Sequence, residues 1–285
     1  MILGSIRLAG YTITAIDGGG CRMDGGAVFG VVPKPLWSVL TPADDKNRVR
    51  LSFFSLLVQD GTHSIVIEGG SAVHLPPKIA EYHCADSSSL VATLEKLGVP
   101  AGEVGFFIPT HLHFDHVGGA VEGPDGPTFP NAAYLVQRAE LEEARDPMPV
   151  NRNAYQPGDI EPLENARLQI LDGDEEILPG LKVQKTGGHS VGHQSVQIGT
   201  GAERLVFAGD LIPTSEHISP RWMCAFDIDP AETYQRKVDM LDRAACEGSL
   251  IAAGHGGANP IFCLERSERG RFEGVRVPSI SSCPG

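Results

Sequence analysis

The segment Thr110 to Gly119 reads T-H-L-H-F-D-H-V-G-G and contains four side chains that can bind metal: His111, His113, Asp115 and His116. Neutral imidazole and carboxylate groups are ligands suited to Zn²⁺ and its first-row neighbours. His111 and His113 can hold one ion while Asp115 and His116 point to a second. The spacing therefore predicts a site with two adjacent metal ions.

Three later segments offer the further ligands that a dinuclear site needs. The glycine-rich run T-G-G-H contains His189, the apolar run L-V-F-A-G ends in Asp210, and L-I-A-A-G ends in His255. A single histidine after a strand is more often a structural residue, but the same arrangement recurs along this chain. The recurrence favours a functional site that collects all of these side chains.

Short strands and capped helices must position the candidate ligands. The apolar run from Val104 to Pro109 is bounded by turn residues and predicts a buried strand that delivers the first cluster to a sheet edge. Capping residues, apolar spacing and a terminal glycine predict amphipathic helices over 87–98 and 229–248. The stretch 118–131 is rich in glycine and proline and is predicted to be a loop that shapes a pocket rim.

On these residues the chain resembles the metallo-β-lactamase superfamily. The H-x-H-x-D-H signature, the G-H-x-x-G-H loop, the G-D pair and the last histidine ligand stand at 111–116, 188–193, 209–210 and 255. The resemblance runs from about residue 51 to 255 and implies an α+β fold, the four-layer αββα sandwich of two mixed sheets with helices outside.

The resemblance also implies a role for each ligand. One metal ion would be held by His111, His113 and His189. The second would be held by Asp115, His116 and His255, and Asp210 would bridge the two ions. We expect two divalent ions per chain, with Zn²⁺ as the first choice.

A narrower resemblance concerns residues 21–37, which are similar to a segment of the quorum-quenching N-acyl-homoserine lactonases and their methyl parathion hydrolase relatives. In those families the segment helps to form the pocket above the metals. An apolar pocket for an acyl chain could be lined by Phe29, Trp37, Trp222, Met223 and Phe226, which could equally be core residues. From the residues alone, the segment is equally compatible with a glycine-rich turn and ordinary core packing. The runs 209–214 and 227–230 also resemble this branch.

The chain departs from the family pattern at two positions. Glu68 stands where these families usually have an aspartate that braces the ligand loop, so the sequence leads us to expect that Glu68→Asp keeps or raises metal affinity. Pro213 stands where one lactonase type has a tyrosine that orients the substrate carbonyl. His217 could replace that tyrosine, or it could lie in a polar surface loop.

The remaining histidines and the cysteines are expected to be ordinary. His193 should hydrogen-bond around the site without binding metal, and His63, His74 and His83 should be exposed or packed. The six cysteines lack C-x-x-C pairs and are expected to be free thiols; the alternative for Cys21 is a catalytic or metal role.

Composition limits the class of protein and the substrate. Residues 1–285 are expected to form a single hydrolase domain, and no apolar run approaches the roughly 20 residues needed to cross a bilayer. The N-terminal residues do not form a secretory signal core, so a cytoplasmic location is expected. A net charge of −13 disfavours nucleic acid as a partner, because binding phosphates requires a basic surface.

The residues and the resemblance together predict a metal-dependent hydrolase of small lactones or esters. Metal coordination lowers the pKa of bound water to about 7, so no serine or cysteine nucleophile is needed. N-acyl-homoserine lactones are the leading substrates, with Asp115 as the proton shuttle that the resemblance implies. The alternatives are an organophosphate triesterase on the same scaffold and a protein that binds metal or ligand without turnover. The resembling enzymes are often homodimers, which is the oligomeric state the resemblance suggests.

Overall fold

The computed structural model describes residues 1–72, 75, 77–83, 85–86, 88–122, 126–256, 260–268 and 271–276. Some predictions concern residues outside this part of the chain: His74, the thiols of Cys84 and Cys283, and Ser87 at the start of the predicted helix 87–98.

Within this part of the chain the strands form two mixed sheets. The strands are β1 (Ile2–Leu8), β2 (Tyr11–Asp24), β3 (Arg48–Gln59), β4 (Ser64–Ile67), β5 (Phe106–Ile108), β6 (Ala133–Gln137), β7 (Arg167–Leu171), β8 (Glu175–Leu178), β9 (Leu181–Lys185), β10 (Gln194–Thr200), β11 (Glu203–Phe207), β12 (Leu250–Ala252), β13 (Ile261–Arg266) and β14 (Phe272–Arg276). The first sheet has the order β1-β2-β3-β4-β5-β6-β7 and the second has the order β14-β13-β12-β11-β10-β9-β8. In the first sheet, the four neighbouring strands β4, β5, β6 and β7 are parallel to one another. In the second sheet, β11 pairs with β12 in parallel.

One of the described helices has 18 residues, and the others have at most 8. The helices are α1 (Gly25–Phe29), α2 (Lys34–Trp37), α3 (Pro77–His83), α4 (Leu90–Lys96), α5 (Phe114–Val117), α6 (Arg138–Arg145), α7 (Pro157–Ile160) and α8 (Pro230–Glu247). Short 3₁₀ turns lie at Ala101–Glu103, Gly118–Ala120, Arg152–Ala154, Glu161–Asn165, Gly209–Leu211 and Ser215–Ile218. Among the described residues, no helix has both the length and the apolar character needed to span a bilayer.

The apolar side chains form three layers of packing across the sheets. In β4, Ile65 and Ile67 pack between the two sheets while Val66 faces the helices on the other side. This alternation is what a strand buried on both faces requires, because successive side chains point to opposite faces. Leu94 of α4 covers the first sheet and Leu241 of α8 covers the second. The predicted αββα fold class is confirmed.

The two predicted helices are confirmed, with one boundary changed. The Asp229 side chain accepts hydrogen bonds at 3.0 Å from the first backbone N–H groups of α8, and Gly248 ends that helix in the left-handed region at φ 69°. The other helix, α4, begins after Ser89, whose hydroxyl accepts from Ala92 N at 3.2 Å. It is therefore shorter than the predicted range 87–98, because its capping residue lies inside that range.

The predicted strand at 104–109 is present as β5 and enters the ligand cluster directly. The segment 118–131 was predicted to be a loop at the pocket rim, but its first residues form a buried 3₁₀ turn. Gly118 and Gly119 are buried against the backbone of residues 69–72, where an added Cβ would lie 2.5 Å from Ala72 N and 2.3 Å from Gly69 O. None of the described residues of this loop lines the cavity over the ligands.

Candidate metal centre

The candidate ligands all follow strands whose ends meet at one place. The H-x-H-x-D-H segment follows β5 and continues into α5, while Asp210 and His255 follow the parallel strands β11 and β12. Glu68 follows β4, the parallel neighbour of β5. Because the carboxyl ends of parallel strands lie at the same edge of a sheet, the two face-to-face sheets bring these loops together. His189 joins them from the connection between β9 and β10.

Three histidines form the first group, and each is buried. His113 Nδ1 lies 2.9 Å from His111 Nε2 and 3.4 Å from His189 Nε2. Ligand atoms on a tetrahedral ion with Zn–N distances near 2.0–2.1 Å are separated by roughly 3.3 Å. The spacing of the three nitrogen atoms therefore suits a single small cation.

Asp210 lies between this group and a second one. Its Oδ2 is 3.3 Å from His189 Nε2, and its Oδ1 is 3.2 Å from His255 Nε2 and 3.6 Å from His116 Nε2. Asp115 completes the second group with Oδ2 at 3.7 Å from His255 Nε2 and Oδ1 at 3.8 Å from His116 Nε2. One oxygen of Asp210 thus faces each group, which is the arrangement that a bridging carboxylate needs.

The donor atoms fit divalent cations. His116 Nε2 and Asp210 Oδ1 are buried and make no hydrogen bond within the described part of the chain. Leaving a buried polar atom unpaired costs about 1–3 kcal/mol, and more for a charged group, so these atoms call for a partner. Imidazole and carboxylate donors in three overlapping groups match the borderline-hard preference of Zn²⁺ and related ions.

The electrostatics of the cluster favour positive charge at its centre. Burial and the neighbouring imidazoles hold the pKa values of His111 and His113 well below their usual range, so both are neutral, as metal ligands must be. Burial opposes a charge on His116, but Glu68, Asp210 and Asp115 together raise its pKa well above the usual value. The three carboxylates therefore favour a positive charge at the His116 side chain, either a bound proton or a metal ion.

Four of the five ligand imidazoles are held through their second nitrogen; the exception is His113, whose Nε2 makes no hydrogen bond within the described residues. His189 Nδ1 donates to Asp227 Oδ1 at 2.8 Å, and His255 Nδ1 donates to Ser52 O at 3.1 Å. His111 Nδ1 forms a 3.0 Å hydrogen bond with the Thr110 hydroxyl. These contacts fix the ring orientations and tautomers that present the other nitrogen to the centre. The role of Asp227 is not apparent from the sequence, although the run 227–230 resembles the lactonase branch.

His193 supports the bridging aspartate, as expected from the sequence. Its Nε2 accepts a hydrogen bond from the Asp210 backbone N–H at 3.0 Å. Burial, with the nearby His189, lowers the pKa of His193 to about 3, which keeps the ring neutral and the accepting nitrogen free of a proton. The prediction that His193 hydrogen-bonds around the site is confirmed.

Glu68 holds two parts of the ligand loop at once. Its Oε1 accepts from Thr110 N at 2.7 Å and its Oε2 accepts from His116 Nδ1 at 2.8 Å. Glu68 is buried and its backbone lies at φ 65°, a region that non-glycine residues rarely adopt. Both short contacts require the full length of a glutamate side chain.

The geometry reverses the expectation for Glu68→Asp. Shortening the side chain by one carbon–carbon bond, about 1.5 Å, withdraws the carboxylate from Thr110 and His116. We expect the affinity of the second ligand group for metal to fall roughly 10- to 100-fold, the usual effect of losing a partner of a ligand. Competition with a coloured chelator measures this, and Glu95→Asp on the exposed face of α4 is the matched control. An unchanged affinity would contradict the role assigned to the Glu68 contacts.

A cavity of about 500 Å³ opens over the ligands. Its floor contains side chains of both ligand groups, and its walls are mainly apolar: Met23, Val28, Leu51, Phe114, Met148, Val150, Pro213, Phe226 and Ile228. No lysine or arginine is among the described residues that line it. The site can therefore receive a neutral molecule with an apolar part close to the candidate metal ligands.

The pocket residues predicted from the sequence divide between cavity and core. Phe226 lines the cavity, as do Met23 and Val28 of the N-terminal segment. Phe29 and Trp37 are instead core residues that stack on each other at 5.0 Å between ring centroids. Trp222 packs against the same core, and Met223 is not among the residues that line the cavity.

His217 lies neither at the substrate cavity nor in a polar surface loop. It is fully buried, stacks on Phe29 at 4.9 Å, and donates from Nε2 to Val28 O at 3.0 Å. It therefore supports the core and does not face the substrate cavity. His63 pairs with Asp60 at the surface, as an ordinary histidine, whereas His83 lines the cavity, which the sequence did not indicate.

Cys21, Cys224 and Cys246 are free thiols, as predicted. Burial, with Asp115 nearby, raises the pKa of Cys21 well above the usual value. Because the thiolate is the reactive form, this environment disfavours a nucleophilic role for Cys21.

Comparison with known proteins identifies the family. The sequence profile of the metallo-beta-lactamase superfamily matches residues 51–255. The chain belongs to the metallo-β-lactamase superfamily. It is thus a hydrolase of that superfamily, and its histidine and aspartate groups are able to bind metal.

Named relatives of this superfamily member include lactonases. An N-acyl homoserine lactonase of Bacillus cereus is 30% identical over 67% of this chain and 71% of the relative. A probable metal-dependent hydrolase from Staphylococcus aureus has a TM-score of 0.88 at 27% identity, over 96% of this chain and 99% of that chain. The dizinc quorum-quenching lactonase AidC, solved with a product, shares the fold with a TM-score of 0.80 at 18% identity, over 96% of this chain and 97% of that chain.

Proposed function

We propose that this protein is a dinuclear metal-dependent lactonase that opens the ring of N-acyl-homoserine lactones. The observation that carries the proposal is the apolar cavity of about 500 Å³ whose floor is formed by the two candidate ligand groups. A neutral lactone with an acyl chain matches both parts of this cavity. The Bacillus cereus relative named N-acyl homoserine lactonase supports the same substrate class.

Seven side chains would hold the two ions, with Zn²⁺ as the first candidate. His111, His113 and His189 would form one site. Asp115, His116 and His255 would form the other, and Asp210 would face both. When bound, two such ions supply a nucleophilic water near neutral pH and an electrophile for the carbonyl oxygen.

Asp115 is the chain's own candidate for moving a proton. Its carboxylate lines the cavity beside His255 and is buried, so it would lie close to the reacting bond of a substrate bound there. Opening the lactone forms a bond from water oxygen to the carbonyl carbon and breaks the ring carbon–oxygen bond. Asp115 would accept the proton released by the water and pass it to the leaving alkoxide.

The walls of the cavity select by polarity. Phe114 and Ile228 line it close to the ligands, while Val150, exposed by 84%, and Phe226, exposed by 45%, extend the apolar surface to the mouth. These side chains exclude water from the reacting bond and would contact an acyl chain. A phosphate-rich substrate such as nucleic acid finds no basic side chain in the described lining.

One observation favours a second candidate, an organophosphate triesterase. Pro213 lines the cavity and has no hydroxyl, so it cannot orient a lactone carbonyl as the tyrosine of one lactonase type does. A phosphotriester is also neutral and apolar, and it would be attacked at phosphorus from the same site. The same cavity can therefore be tested with both substrate classes.

The test is proton release from short- and long-chain N-acyl-homoserine lactones, followed with a pH indicator beside the hydrolysis of a chromogenic phosphotriester. We expect metal-loaded protein to release protons from the lactones and to stop when a chelator removes the metal. The ring-opened N-acyl-homoserine is the matched substrate control and should release none. Cleavage of the phosphotriester without lactone opening would overturn the proposal in favour of the triesterase. Inactivity on both, with two metal ions bound, would leave another ester substrate or a binding protein.

A further inference from the structure

A buried glutamate on α6, Glu140, accepts four hydrogen bonds beside the metal centre without belonging to it. Its Oε1 accepts from Leu112 N at 3.0 Å and from the Tyr155 hydroxyl at 3.0 Å. Its Oε2 accepts from the Ser190 hydroxyl at 2.6 Å and from Gly192 N at 3.0 Å. A carboxylate is a pure acceptor with four lone-pair positions, so the donors around Glu140 match its capacity.

Three of these donors, on Leu112, Ser190 and Gly192, belong to the two loops that contain the first ligand group. Leu112 lies between His111 and His113, and Ser190 follows His189 directly. Glu140 therefore ties together, through one side chain, the loops of all three histidines in that group. The strands that precede these loops belong to different sheets, so the contact also spans the two halves of the fold.

The packing shows that Glu140 fits closely into this position. An added Cβ at Gly192 would lie 2.4 Å from Glu140 N and Cβ, which only a glycine avoids. The ring of Tyr155 stands edge-on to the His113 ring, with 4.8 Å between centroids, while its hydroxyl donates to Glu140. The contact network therefore reaches the His113 imidazole as well as the backbone.

Glu140 and Glu68 act on different ligand groups. Glu68 bonds to His116 of the second group and to Thr110, and it shares none of the four donors of Glu140. Glu68 thus bonds directly to a ligand of the second group, whereas Glu140 bonds to the loops of the first group. Removing one should affect the two metal sites unequally.

We propose that Glu140 is a positioning residue that sets the geometry of the His111, His113 and His189 group, an inference that rests on the proposed binding of metal by these residues. Charge-assisted hydrogen bonds that the loops donate to the buried Glu140 carboxylate hold both loops in place before metal binds. The arrangement lowers the cost of ordering the three imidazoles around one ion. Glu140 does not touch substrate and is not a catalytic residue.

The experiment is a cobalt(II) titration of the metal-free protein, followed by visible absorption, which reports each binding step spectroscopically. Reference titrations of His189→Ala and His255→Ala assign the steps to the two groups. In Glu140→Gln, an amide NH₂ replaces one acceptor and faces a donor, so we expect roughly 10- to 100-fold weaker binding at the first group and little change at the second. Glu68→Gln should weaken the second binding step, because Glu68 bonds directly to His116, and Glu142→Gln, exposed on the same helix, should bind like the native protein.

A milder variant guards against misfolding of Glu140→Gln. Ser190→Ala removes a single donor and should weaken the same binding step by a smaller factor. Equal loss at both steps in Glu140→Gln, or an unchanged first step in both Glu140→Gln and Ser190→Ala, would overturn the positioning role. If the native protein itself binds fewer than two cobalt ions, the proposed dinuclear site fails, and that result is distinct from a failure of Glu140.

Discussion

Replacing Asp210 with alanine is expected to empty both metal sites. Asp210 presents Oδ2 to His189 and Oδ1 to His116 and His255, so one substitution removes a ligand from each group. It also leaves the buried imidazoles without the carboxylate whose charge attracts cations. Purified native protein should contain about two ions per chain, and Asp210→Ala should contain neither and lose its hydrolytic activity.

Metal analysis of purified protein by mass spectrometry measures this outcome directly. Asp45→Ala is the matched control, because Asp45 is exposed and far along the chain from every candidate ligand. The backbone N–H of residue 210 still donates to His193 in the variant, so the local fold should persist. A native protein with at most one tightly bound ion, together with an active Asp210→Ala, would exclude the dinuclear assignment.

Replacing Asp115 with asparagine should separate metal binding from chemistry. An asparagine keeps the shape and one carbonyl oxygen near His255 and His116, so part of the metal should remain. It cannot carry a proton between the attacking water and the leaving alkoxide. Lactone turnover should therefore fall by about 10²- to 10⁴-fold, the usual contribution of a positioned acid or base.

The assay follows proton release from an N-acyl-homoserine lactone and metal content in the same samples. Rates are compared per bound metal, so that loss of metal is not counted as loss of catalysis. Asp86→Asn, which alters an exposed ion pair with Arg50, serves as the control. Full activity per bound metal in Asp115→Asn would show that the proton moves by another route.

The sequence was sufficient for the local features of this protein. The spacing of His111, His113, Asp115 and His116 follows directly from the chain, because a turn and the first residues of α5 place them on one short segment. The caps of α8 were also predictable, since Asp229 bonds to backbone groups only two and three residues away. Local hydrogen bonding and side-chain type decide such features without reference to the rest of the fold.

Tertiary structure decided the features that depend on distant segments. His217 was an open candidate until its ring was found stacked on Phe29, which is far away in sequence. The expected effect of Glu68→Asp on metal affinity changed from a gain to a loss, because it depends on the distances from Glu68 to Thr110 and His116, which lie on a different loop. Side-chain type alone predicts that a carboxylate can accept hydrogen bonds, but not which donors lie within reach.

The candidate metal centre depends both on local sequence motifs and on contacts between distant segments. Its candidate ligands could be chosen from strand-end motifs, because each motif is local and contains imidazole or carboxylate. Their supporting contacts could not, since Glu140 meets Ser190 across 50 positions and His189 meets Asp227 across 38. Those contacts form only when two sheets pack face to face and bring their strand ends to one edge, which is a consequence of the whole core and not of any single segment.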